Sequence, residues 1–487
     1  MANKPIQVKR LATRFHADPT RVIARPFIAG DETRIRAIVG RILSIPEPAV
    51  ESMAAKLIAD YAPRHRRLPE TFENHYAMVA SYVNGRSPIS EARRALIGSY
   101  FTSEYSLESV ALFNPSIVPH PDQSGLRDGR ARFILSLRAC GEGHISSIEF
   151  RSGVIDADNG VTLDPVPRFA ATRRPIENKL YNKARFYRKL VEIGAYNPQA
   201  DGVLCGLREE FTIDDLQRAI EAYEPEEAYR DTYEELARQM LWIAHSNYQL
   251  EFPPDSAISE RVIFPVTENE SRGIEDARFV RFTDDDGSIT YYGVYTAYNG
   301  YRTLPQFLET SDFLRFKIYT LTGRCVQNKG MALFPRRIDG WYWMVSRLDG
   351  ENIHMLRSDN LHFWNESFKL RGPVQPWEFV QIGNCGSPIE TDAGWLLLTH
   401  GVGPMRQYWL GALLLDLGAP TRVIGHLEEP ILVPEESERD GYVPNVVYSC
   451  GAMVHHDDLV IPYAVADTST AIATVSLKEL LAQLTGR

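Results

Sequence analysis

The stretch GIEDARF, residues 273–279, sets Glu275 and Asp276 beside Arg278 just where a strand-like run begins. A carboxylic acid with a second carboxylate and a guanidinium at its side can act as a general acid whose neighbours fix its place and its charge. The same side chains also make an ordinary surface ion pair, the commoner use of such clusters. What the fold brings to Asp276 decides between the two.

Other strand-like runs also end in polar residues. Arg138 follows FILSL, with Asn114 in the preceding ALFNPS, and YTAYNG ends in Tyr298 and Asn299 before its glycine. Lys329 precedes MALFP, Arg347 follows WYWMVS, His400 follows WLLLT and Asp467 follows IPYAVA. Turn signals recur at Asp128-Gly129, Asp286-Gly287, Asp339-Gly340, Asp392 to Gly394 and Asp457-Asp458, the last four spaced by 53, 54 and 64 residues. A repeat of that length with several strands predicts a β-propeller, and five copies predict five blades. Equivalent strand ends of a propeller converge near its axis, so these eight residues and Asp276 are expected to share one pocket. Carboxylates facing Arg, Lys and His suit an oxygen-rich ligand such as a sugar or phosphorylated sugar, and aromatic residues (10% of the chain) offer stacking faces.

The segments around that ring read as helices. Ile35, Ile38, Val39 and Ile42, then Val50, Met53, Leu57 and Tyr61, fall at helical spacing, with Pro46 and Pro48 between the two sets. SPISEARRALIGSYF predicts a helix with Ser87 as N-cap, Pro88 in the first turn, and Leu96, Ile97 and Tyr100 on one face. Between Gly129 and Gly287 lie three further helical stretches, 179–196, 212–224 and 226–245, the second with Thr212 and Asp215 at capping-box spacing. The expected organisation is mainly β: a helical N-terminal region (1–104), a first blade (105–172), a helical insert (173–245) and the remaining blades (246–487). The insert either shapes a substrate site at the channel end or packs on the N-terminal helices as a scaffold.

A formal net charge of −10 argues against a nucleic-acid partner. The five cysteines are scattered, without a CxxC pair, as expected of reduced thiols in a cytoplasmic protein. His144 stands alone and His455-His456 sit together in a turn, so no metal set and no cofactor is expected. The N-terminal residues lack the apolar core of a signal peptide, and no stretch approaches ~20 apolar residues, so no membrane partner is expected.

The ordered motifs GIEDARF with YTAYNG, KGMALFPRRIDGWYWMVSR, IGNCGSPIETDAGWLLLTHGVG, YWLGALLLDLGAPTRVIGH, and ILVPEESERDGYVPNVVYSCGAMV through YAVAD resemble glycoside hydrolase family 130. These are five-bladed propeller enzymes that cleave β-mannosides with inversion. The resemblance covers about 105–170 and 245–480 and leaves out the helical regions. It implies Asp276 as the catalytic acid that protonates the departing glycosidic oxygen by way of a mannose hydroxyl. Glu275 and Arg278 would position it, and Asn114, Arg138 and Asp467 would hold the mannosyl unit.

The family's phosphorylases use inorganic phosphate as nucleophile and need cations, whereas its hydrolases need a carboxylate to activate water. Lys329, Arg347 and His400 match phosphate-binding positions, Lys329 in a usual Arg place; Gly330 replaces an Asn and Gln381 a common Lys. Glu378 and Glu390 are the candidates for a hydrolytic base. The expected reaction is phosphorolysis of β-mannosides to α-mannose 1-phosphate, with phosphate as co-substrate. Hydrolysis to mannose is the alternative, and a non-catalytic glycan-binding propeller the second. The helical additions are candidate interface material for a homo-oligomer.

Overall fold

The computed structural model describes residues 6–83, 88–173, 175–177, 180–192, 194–301 and 303–486. The protein is mainly β, built on five antiparallel sheets in chain order. The first contains Ala111–Pro119, Ala131–Cys140 and Ser146–Ile155; the second runs from Ile274–Thr283 through Ile289–Tyr298, Thr303–Thr310 and Arg315–Thr320. The third holds Lys329–Leu333, Tyr342–Arg347, Ile353–Ser358 and Glu366–Arg371. In the fourth, Gln381–Asn384 and Ile389–Thr391 both pair with Gly394–Val402, followed by Tyr408–Leu415 and Val423–His426. In the fifth, Val447–Tyr448 and Met453–His455 both pair with Asp458–Val465, followed by Ser469–Ser476.

Strands buried on both faces read as nearly continuous apolar runs, and FILSL shows why. Phe133, Leu135 and Leu137 pack with Val460 and Ile472 of the fifth sheet. Ile134, on the opposite face, packs with Phe279 and Tyr291 of the second. Each sheet is thus a layer between two others. Ala111–Pro119 lies against Ile274–Thr283, Ile289–Tyr298 against Lys329–Leu333, and Tyr342–Arg347 against Gln381–Asn384. Tyr408–Leu415 lies against Val447–Tyr448, and Asp458–Val465 returns to Ala111–Pro119, so the sheets form a closed circuit. At the hairpin turns Gly129, Gly287 and Gly340 adopt positive φ, as Asp-Gly turns require.

The N-terminal region differs from the expected run of helices. Val8–Phe15 is a strand that pairs with Ser469–Ser476 and completes the fifth sheet from the opposite end of the chain. Val22–Pro26 pairs with Thr102–Ser106. Between them stand α1 (Glu32–Leu43), α2 (Glu47–Tyr61), α3 (Leu68–Val79) and α4 (Glu91–Tyr100). Val39, Ile42, Val50, Ala54, Leu96 and Ile97 form their shared core. Met53 and Tyr61, expected on that face, are exposed, because the buried stripe of α2 is only as wide as Val50 and Ala54, and Tyr100, at the last position of α4, is exposed as well. Ser87 lies outside the described residues. Ser90 caps α4 by accepting from the Arg93 backbone N–H at 3.1 Å, which leaves Pro88 ahead of the helix.

The insert contains α5 (Lys183–Glu192), α6 (Pro198–Cys205), α7 (Ile213–Ala222) and α8 (Arg230–His245), and α9 (Leu477–Thr485) ends the described chain. The Thr212/Asp215 capping box forms on α7. These four helices have an apolar cluster of their own, separate from that of α1–α4. They rest on the sheets: Tyr248–Glu251 extends the outer edge of the second, and buried Lys189 donates to the Leu321 carbonyl at 2.7 Å.

One buried cluster ties the N-terminal segment to the first sheet. Arg21 pairs with Glu108 and Glu149 at 2.7 Å each, and Arg151 reaches the same two carboxylates at 2.6 and 3.2 Å. Burial and the nearby Glu149 push the Glu108 carboxyl up to about 8. Removing one member leaves charge uncompensated in the interior, so Arg21→Ala is expected to cost about 3–5 kcal/mol, read from denaturant unfolding.

Candidate active site

The inner strands lose their register as they reach the centre. One extra residue is inserted between Phe113 and Ser116, between Glu275 and Arg278, and between Lys329 and Ala332. Such bulges re-aim side chains, and the inserted residue adopts a left-handed backbone. Asn114 has φ 50°, Asp276 52° and Gly330 92°. The first two bulges turn their side chains toward one another, and Asn114 Nδ2 donates to Asp276 Oδ1 at 2.7 Å.

Charge then accumulates around Asp276. Arg138 spans two carboxylates, donating from Nη1 to Asp276 Oδ1 at 3.3 Å and from Nη2 to Glu275 Oε1 at 3.0 Å. The other oxygen of Glu275 takes a close ion pair from Lys329. Arg278 is buried and donates to the Tyr448 hydroxyl at 2.6 Å. Burial works against ionisation of Asp276, but Arg138, Arg278, the Asn114 hydrogen bond and Lys329 outweigh it and hold the carboxyl below its ordinary range. Asp467, with φ 50°, goes the other way: burial and the Asp276 charge push it up to about 7 against the pull of Arg138 and Arg406.

Beside this group lies a cradle of nitrogen atoms. Arg347 Nη1 is 3.3 Å from His400 Nε2, and Gln381, with its amide oxygen toward Arg347, accepts from the same Nη1 at 2.7 Å. A Cβ on Gly330 would sit 3.3 Å from Asn384 Oδ1 and 3.4 Å from Arg278 Nη1, so this glycine leaves open the space between them. Asn384 Oδ1 and the Nε atoms of Arg278 and Arg347 are buried there without a hydrogen-bond partner among the described residues. His400 is not a cation: burial first, then Arg347 and Arg278, drive its pKa well below the ordinary value. A neutral imidazole accepting at Nε2 orients Arg347.

Asn114, Arg138, Asp276, Lys329 and Asp467 therefore come together, with Arg347 and His400 alongside. Tyr298 and Asn299 make local hydrogen bonds at the end of their strand. The Tyr298 hydroxyl donates to the Gly300 carbonyl at 2.9 Å, and Asn299 Oδ1 accepts from the Tyr301 backbone at 3.0 Å. Neither candidate base is available. Glu378 is buried, capping the Val374 and Gln375 N–H groups at 2.9 and 3.1 Å; Glu390 is engaged by Arg336 through both oxygens. Tyr448, Asn384 and Arg406 belong to the site but carry no sequence signal of their own beyond lying in or beside quoted motifs. Among the described residues no group of three or more His, Cys, Asp or Glu could hold a metal, and no helix is long and apolar enough to cross a membrane.

A family model described as beta-1,4-mannooligosaccharide phosphorylase matches residues 228–485, just over half of the chain. The chain belongs to glycoside hydrolase family 130. Its membership places it among glycoside-cleaving enzymes. Similar proteins include a 1,2-beta-oligomannan phosphorylase of Thermoanaerobacter sp. (strain X514), 38% identical over 221 residues, which are 44% of this chain and 72% of that one. A beta-1,2-mannobiose phosphorylase of Listeria innocua is 33% identical over 230 residues, 46% of this chain and 63% of that one. Among solved structures, the Listeria innocua beta-1,2-mannobiose phosphorylase with beta-1,2-mannobiose has a TM-score of 0.46 and 22% identity, covering 79% of this chain and 94% of its own.

Arg138 is the largest single charge holding Asp276 ionised. Arg138→Met is expected to raise the pKa of the Asp276 carboxyl, measured by carboxyl carbon NMR with Asp276→Asn to assign the resonance.

Proposed function

We propose that this protein is an inverting β-mannoside phosphorylase with Asp276 as general acid. In this reading the five sheets are the blades of a five-bladed propeller around that site. Residues 1–104 supply the fifth blade's closing strand and a helical cap, and 173–245 form a helical insert between the first two blades. Asn114, Arg138 and Asp467 hold the mannosyl unit, and Lys329 and Arg347, oriented by His400 and Gln381, hold phosphate. Tyr298 and Asn299 act farther out, toward the departing sugar. The unpaired cysteines suit a reducing, cytoplasmic setting.

Phosphate attacks the anomeric carbon from the face opposite the departing oxygen. The bond from that carbon to the acceptor sugar breaks as the bond to phosphate forms, giving α-mannose 1-phosphate. The departing oxygen takes a proton supplied by Asp276.

One observation carries the choice of nucleophile: a cationic cradle stands beside the acid while Glu378 and Glu390, the carboxylates that could have activated water, are bound elsewhere. Phosphate also solves a problem that Asp276 poses. An acid must hold a proton, yet Lys329, Arg138 and Arg278 favour its ionised form. A phosphate anion on the cradle offsets those cations and lets the proton held by Asp467 pass to Asp276. Water would do neither. The phosphorylase relatives act on β-1,2- or β-1,4-linked substrates, by their names, which supports the mannoside class.

With short β-1,2- and β-1,4-mannosides, α-mannose 1-phosphate is expected only when phosphate is added. Free mannose formed equally without phosphate would overturn the reading in favour of hydrolysis. Asp276→Asn should lower turnover roughly 10²–10⁴-fold while the sugar still binds by calorimetry. In the free enzyme the Asp276/Asp467 pair holds one proton below about pH 7 and loses it above. The protonated pair is the active form, so kcat/KM should fall as pH rises through about 7, and Asp467→Asn should remove that limb.

A further inference from the structure

One face of α8 belongs to the insert's apolar core, through Tyr233, Leu236, Met240 and Ile243. Glu235, Arg238, Gln239 and Trp242 lie at i, i+3, i+4 and i+7 and so share another face. That second face borders a groove of about 350 Å3 whose opposite wall is Asn299 and Tyr301. Ordinary small-molecule sites begin at roughly 300 Å3, which accommodates a sugar ring.

One wall of the groove is tied by backbone hydrogen bonds to the segment that leads into the acid's strand. That wall follows directly on Tyr298, whose N–H donates to the Gly273 carbonyl at 3.0 Å and whose carbonyl accepts from Arg272 at 3.0 Å, just ahead of Glu275 and Asp276. The phosphate cradle, by contrast, draws on the third and fourth sheets. The groove thus lies on the second-sheet side of the site, on other elements than those that form the cradle.

Its chemistry is that of a saccharide subsite. Tyr301 is 95% exposed, and half-buried Trp242 faces the same space, so two amphipathic rings are offered to a sugar face. Polar groups are arranged in advance: Glu235 accepts from Arg238 Nη2 and from Gln239 Nε2, each at 2.6 Å, which fixes donors and acceptors on the helix before any hydroxyl arrives. Trp242 also packs in part against the insert's own core, which holds its ring in place beside the groove.

We propose that the groove between α8 and residues 299–301 is a distal subsite on the leaving-group side, which binds the second saccharide of the departing portion of an oligosaccharide and makes longer β-mannosides better substrates. This rests on the function proposed above and deepens it. The insert then acts in selecting chain length.

The test compares β-linked mannobiose with mannotriose, in phosphate, using the full chain and the variants Trp242→Ala and Tyr301→Ala. The triose-to-biose ratio of kcat/KM is expected to fall roughly tenfold in each variant, with the loss in KM. Equal falls on both substrates, or an unchanged ratio, would overturn the subsite. The wild-type chain is also titrated with mannotriose while the Trp242 indole resonance, assigned with Trp242→Phe, is followed by NMR. A triose-dependent shift that mannobiose does not produce supports the subsite, and no shift overturns it. If the wild-type chain cleaves neither sugar, the phosphorylase reading fails by itself, and the indole titration still decides the groove.

Discussion

Glu275, Asp276 and Asp467 converge where little water remains to separate their charges, and one guanidinium, Arg138, reaches the first two at once. Like charges so close cannot all ionise without counter-charge, so a chain that gathers them either supplies cations or leaves a proton behind. This one does both. Lys329 neutralises the far side of Glu275, Arg278 approaches from below with Tyr448 behind it, and Asp467 keeps its proton near neutrality. The bulges answer the same constraint. A regular strand would point Asn114 and Asp276 across the sheet, and the left-handed residue at each bulge lets them meet instead.

The sheets serve that arrangement by making every inner strand a neighbour of the next. The site draws Asn114 and Arg138 from the first sheet, Asp276 from the second, Lys329 and Arg347 from the third, His400 from the fourth and Asp467 from the fifth. Packing between sheets, more than within them, sets the distances. The apolar clusters reflect this, each combining residues of two adjacent sheets. The helical additions sit outside the ring and keep separate cores, so they vary its rim without disturbing its centre.

What was legible in the residues is the part that is local. GIEDARF places an acid, its partner and a base within seven residues, and Thr212 with Asp215 announces α7 in four. The spacing of the Asp-Gly turns is local repetition. By contrast, the Tyr448 partner of Arg278 lies 170 residues away, and the neutrality of His400 comes from burial beside Arg347 and Arg278. The capping role of Glu378 is hidden because its bonds run to backbone N–H groups, which every residue but proline has and no sequence displays. The short α6 passes unnoticed except for Asn197-Pro198 at its start. The strand at 8–15 has a weak alternation and a partner at the other end of the chain.

That strand has a consequence for how the molecule is made. Val8 pairs with Val475, so the fifth sheet is completed only after the four sheets that lie between them in sequence have been synthesised. Until then this strand waits without a partner through the folding of four sheets, the situation in which an exposed edge invites pairing with another chain. Lys9, Arg10 and Arg14 stand within its eight residues, and their like charges discourage two waiting copies from joining. Asp467 enters the site with the same late sheet. Closure of the fifth sheet and completion of the carboxylate cluster are thus one event: Asp467 reaches Arg138 and Asp276 only when the hairpin that carries it docks on the first sheet.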